Sequence, residues 1–123
     1  MRFAVPLLSL VLSVVGGCHR FTCSNDVLKE VKSPGGKYVA RVTEVSCGAT
    51  VPYVRVINIQ LASRKFDVNK SVVFRTKGQP GLFIRWLDDS HLHVGCDACL
   101  RDGVLLQTTI LLGITVTYDG VPQ

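Results

Sequence analysis

The sequence predicts a mainly β fold: a small antiparallel sandwich or barrel-like sheet that follows an N-terminal signal segment. Three observations point there. Runs rich in Val, Ile, Thr and aromatic residues recur at short intervals between Gly, Pro and Asp punctuation, the pattern of short strands joined by tight turns. Nothing beyond the leader carries a convincing helical period. Two longer runs, 53–61 and 104–118, alternate apolar residues and suit core strands.

The chain opens with Arg2 and an apolar run through Leu7, Leu8, Leu10, Val11, Leu12, Val14 and Val15, which ends at Gly16 and Gly17. Charge, a greasy run and then small residues is the order of a signal peptide, and the run is shorter than the roughly 20 residues of a membrane span. Val15-Gly16-Gly17-Cys18 resembles the bacterial lipobox, which implies cleavage after residue 17 and lipid on the Cys18 sulfur. The expected organisation is a signal peptide over 1–17, a lipidated cysteine and tether over 18–32, and one β-rich domain over 33–123.

Within the tether, 26–31 reads as one helical turn or a first strand. Ser33-Pro34-Gly35-Gly36 is a strong turn, because proline presets one dihedral and glycine supplies the positive one. It feeds a strand over 38–45, with Tyr38, Ala40 and Val42 on one face. After a loop at 47–52, the strand 53–61 sets Arg55, Ile57, Ile59 and Leu61 against Val54, Val56, Asn58 and Gln60. Residues 63–69 are polar and read as a turn. Short strands follow at 71–75, 82–87 and 91–94, separated by turns at 77–81 and at Asp88-Asp89-Ser90. A reversal over 97–103 leads into 104–118, read as one long strand with Ile110, Leu112, Ile114, Val116 and Tyr118 on one side. The turn-and-strand phrases at 33–40 and 86–94 resemble those of TolB-type β-propeller blades. A propeller needs at least four blades of about 40 residues, more than this chain can supply.

With Cys18 assigned to lipid, Cys23, Cys47, Cys96 and Cys99 remain. An even count in an exported chain points to disulfides. Four cysteines allow three connectivities, of which Cys23–Cys47 with Cys96–Cys99 is preferred. The first bridge would pin the tether to the domain, and the second would clamp a local loop. Removing the leader takes away Arg2 and lowers the formal charge of +5 by one. The remaining cations are scattered, with no block of like charge, so nothing here argues for nucleic acid.

Ser33-Pro34-Gly35-Gly36-Lys37-Tyr38-Val39-Ala40, followed by Cys47-Gly48-Ala49-Thr50 and a Val/Ile strand, resembles a group of small uncharacterised bacterial envelope lipoproteins. Their shared phrase is Ser-Pro-Asp-Gly-Lys, an apolar strand, then Cys-Gly-Ala-Thr-Thr. The match covers about a quarter of the chain, which departs from it at Gly35, where the pattern has aspartate, and at Val51, where it has threonine. The resemblance implies export and a structural role for Cys47.

His91-x-His93-x-x-Cys96-x-x-Cys99 has the makings of a zinc ligand set, and Cys96-Asp97-Ala98-Cys99 those of a redox pair. The favoured reading is that Leu92 and Val94 face the core, both histidines face water, and the cysteines bond to each other, with no metal. Asp88, Asp89, Ser90 and His91 could be drawn as an acid–base group, but no nucleophile elbow, phosphate loop or dinucleotide fingerprint accompanies them. Trp86, Phe83, Tyr38 and Tyr53 read mainly as core.

The expectation is therefore a non-enzymatic, cofactor-free domain, lipid-anchored in the cell membrane or outer membrane and facing the periplasm. Histidine at position 19, where aspartate would retain such a protein, favours the outer membrane. Its partners would be the membrane itself and an envelope protein. An immunity protein or inhibitor is the more specific version. A metal-binding or redox lipoprotein using His91, His93, Cys96 and Cys99 is the alternative.

Overall fold

Tight turns at Ser33–Gly36, at Asp89–Ser90 and at Leu112–Gly113 fold the chain into hairpins. In the computed structural model these hairpins build two sheets that share one core. The structure describes residues 23–122, so the expected signal peptide and Cys18 lie outside the described residues.

The first sheet is antiparallel and runs β1 (Ser24–Lys32), β2 (Tyr38–Ser46), β3 (Val54–Leu61), β4 (Val72–Lys77) and β7 (Val104–Gln107) in spatial order. The second runs β5 (Gly81–Asp88), β6 (His91–Asp97), β9 (Ile114–Asp119) and β8 (Ile110–Leu111). Both sheets stay open at their edges. The mainly β expectation holds, as a two-sheet sandwich rather than a closed barrel.

Alternation assigns the core as the sequence implies. Ala40 and Val42 on β2, Ile57 and Ile59 on β3, and Phe74 on β4 meet Ile84, Leu92, Val94, Ile114 and Val116 from the second sheet. Full burial of side chains such as Ile57 or Phe74 stabilises by about 1.5–3 kcal/mol each. Two aromatic side chains reach between the layers by hydrogen bonds. The Trp86 indole N–H donates to the Val31 carbonyl at 2.9 Å. The Tyr118 hydroxyl reaches the carbonyls of Val73 (2.9 Å) and Thr108 (2.6 Å).

Three expectations are corrected. The sheet begins at Ser24, inside the stretch read as a tether, and of the two readings of 26–31 the strand is the one formed. β1 lies at the edge of the sheet and is exposed along almost its whole length, so no alternating pattern marked it. Second, 104–118 is three strands. Thr108 still donates its N–H to Val73 in the first sheet, while Thr109 accepts from Val116 in the second. Leu112 and Gly113 then take φ of 53° and 75°, the paired left-handed geometry of a two-residue hairpin turn. Ile110 and Leu112 are therefore exposed, not core. Third, the second sheet is mixed, because this excursion returns β9 parallel to β6, and a parallel pair needs such a long crossover.

Candidate functional site

The β3–β4 connection is more than a polar turn. Residues 62–71 fold back over the outer face of the first sheet and are fastened there by two amides in mid-strand. The Asn58 side-chain N–H groups donate to the carbonyls of Val68 (2.9 Å) and Lys70 (2.8 Å). Gln60 donates to the carbonyls of Asp67 (2.5 Å) and Lys70 (2.8 Å) and accepts from the Asp67 N–H at 3.1 Å. Arg41, held by Glu30 at 2.8 Å, lays its guanidinium 4.5 Å from the Phe66 ring centre, a cation–π contact that closes the loop from the other side. Val56, Asn58 and Gln60 are consequently buried on the face opposite the core.

Between this loop, β1 and the rest of that face lies an open groove. One lobe, about 770 Å³, is bounded by Val27, Arg64, Lys65, Phe66, Lys70 and Leu112. A second, about 530 Å³, continues past Asn25, Val68 and Asn69 to Val45, Val54, Arg75, Leu105 and the Cys23–Cys47 bridge. Lining side chains of mixed apolar and cationic character suit a surface that binds by contact. Asp67 is the single carboxylate on the groove's lining, and its distance to the Lys70 ammonium is 3.9 Å on an exposed loop, a pair worth little in water.

Both preferred disulfides form. Cys23 joins Cys47 across 24 residues, with Cα atoms 4.1 Å apart, and Cys96 joins Cys99. Persistent bridges belong to an oxidising compartment outside the cytoplasm. The proposed ligand set is not brought together. Strand pleating places His91 and His93 on the outer face of the second sheet, while Leu92, Val94 and Cys96 face the core side. His93 instead meets the Thr117 hydroxyl at 2.8 Å. No cluster of three metal-ligating side chains occurs among the described residues.

The Asp88-Ser90-His91 group closes on itself. Asp88 Oδ1 accepts from the Ser90 N–H at 2.8 Å and meets His91 Nδ1 at 2.8 Å, and the Ser90 hydroxyl approaches both at 3.2 Å. A nucleophile relay needs serine and carboxylate on opposite imidazole nitrogens; here they share one, in full solvent. The His91 imidazole, with the Ser90 amide, holds the Asp88 carboxyl below its ordinary 3.8. Neighbouring Asp89 has a structural task, accepting the Gly35 N–H at 2.5 Å. Of the four aromatic residues, Trp86 and Tyr38 pack against the core, whereas Phe83 and Tyr53 are exposed.

Asn58, Gln60 and the basic loop were missed because polar residues on one face of a strand ordinarily mean water. The available signal was Phe66 and Val68, two apolar residues amid the charges of 63–70. No family model matches the chain, and neither a curated protein nor a solved structure matches it.

Proposed function

We propose that this chain is a lipid-anchored, non-enzymatic envelope domain that acts by contact, with Cys18 carrying the lipid. The observation that carries the reading is the Cys23–Cys47 bridge. It fastens the chain to the first sheet five residues after Cys18, so an anchor there would hold the groove beside the bilayer and raise its effective concentration for whatever lies nearby. One acyl chain binds only marginally, and the lipoproteins this sequence resembles normally carry three. An envelope protein is the partner class, and an immunity or inhibitor role is its specific form.

Mass spectrometry of the protein from its own membranes tests this. The expected product begins at an acylated Cys18, and Cys18→Ala abolishes both palmitate labelling and membrane fractionation. An unmodified amino end or an uncut leader overturns the reading. A free-thiol count with metal analysis separates it from the metal or redox alternative. No free thiols at Cys96 and Cys99 are expected, whereas stoichiometric zinc on reduced cysteines would favour the alternative.

A further inference from the structure

We propose that the groove face is the surface with which the domain lies on an anionic lipid bilayer. Arg64, Lys65, Lys70 and Arg75 meet the phosphates, and Val27 and Leu112 enter the interfacial layer. The inference rests on the reading of Cys18 as the anchor and names what the anchored groove touches.

Charge is the first argument. Two arginines of the first sheet are paired, Arg41 with Glu30 at the rim of the groove and Arg55 with Glu44 at 2.9 Å. Around the groove, Arg64, Lys65 and Arg75 make no ion pair among the described residues, and Lys70 has only the long contact to Asp67. Residues 1–22 contain no Asp or Glu to answer them. Four cations gathered around one groove, with Asp67 the one carboxylate among its described lining, attract anionic lipid surfaces over about a Debye length.

Apolar exposure is the second. Val27 is 49% exposed and Leu112 52%, and both line the lobe that holds three of the cations. Leu112 is held outward by the hairpin turn whose φ values are 53° and 75°. Apolar side chains interleaved with Lys and Arg are the chemistry of an interfacial surface.

Reach is the third. Cys23 itself lines the groove, and five residues of chain span at most roughly 17 Å. A lipid on Cys18 therefore cannot let the groove stray far from the headgroups. The opposite side of the sandwich, with Phe83, Arg85 and His93, would look away from the membrane.

The test uses the purified full-length lipoprotein on vesicles of phosphatidylcholine, with or without phosphatidylglycerol. Lysine acylation rates are read by peptide mass spectrometry. With phosphatidylglycerol at low salt, Lys65 and Lys70 should react at least about fivefold more slowly, from the attraction of each cation near the surface. High salt should restore them. Lys37, which lies over the Tyr38 ring on the core side of the sheet, should not change. In the variant Arg64→Ala/Lys70→Ala/Arg75→Ala the protection of Lys65 should disappear. Equal rates on both vesicles overturn the proposal, and so does protection by polyglutamate but not by phosphatidylglycerol, which would assign the face to an acidic protein. Flotation separates the two readings. Protein that leaves phosphatidylcholine vesicles has no anchor, yet salt-sensitive flotation with phosphatidylglycerol would still support the surface.

Discussion

At Thr43 a hydroxyl is buried on the outer face of the first sheet with no partner among the described residues. A buried unpaired hydroxyl costs about 1–3 kcal/mol, whereas an apolar group of the same shape costs nothing there. Thr43→Val should therefore raise stability by about 1 kcal/mol, read as a higher denaturant midpoint with unchanged slope. Tyr118 predicts the opposite sign. Burial pushes its phenol from 10.0 up to about 12. The folded state keeps this proton more tightly than the unfolded chain, so its contribution is complete below pH 10 and is lost as pH rises through about 12. Tyr118→Phe leaves the Thr108 carbonyl without its donor and should cost about 1–2 kcal/mol at neutral pH, with a flatter alkaline limb. A pH series of thermal melts on both proteins checks the pair.

Among elements, the turns at 33–36 and 88–90 act as one unit, because the Asp89 carboxylate sits on the Gly35 N–H. A Cβ at position 35 would lie 2.9 Å from that carboxylate, so a side chain there must push Asp89 aside. Gly35→Asp should lose the bond and set two carboxylates together, costing about 1–2 kcal/mol, and adding Asp89→Ala should recover most of the loss in a double-mutant cycle. The alternation of β2 and β3 made the core face of the first sheet legible from sequence. Gly113 was the overlooked sign that 104–118 turns back on itself. The groove was illegible for a different reason: β3 is buried on both faces, and what covers its polar face comes from the loop that follows it. That burial depends on Asn58 and Gln60 meeting backbone carbonyls in space, which no local spacing reports.

For the whole molecule, the two disulfides differ in what they hold. Cys23–Cys47 closes 24 residues of chain and should contribute about 3 kcal/mol, while the three-residue span of Cys96–Cys99 leaves about 2 kcal/mol or less. Denaturation of Cys23→Ser/Cys47→Ser beside Cys96→Ser/Cys99→Ser would read the difference. The longer bridge and Trp86 also flank the same strand, one at its start and one near its end. The protein has a single tryptophan, and its indole is bonded to β1 from the opposite layer. Intrinsic fluorescence is thus a built-in optical gauge of whether the first strand is seated. Peeling of the amino-terminal edge would shift the emission to longer wavelength before the rest of the sandwich gives way.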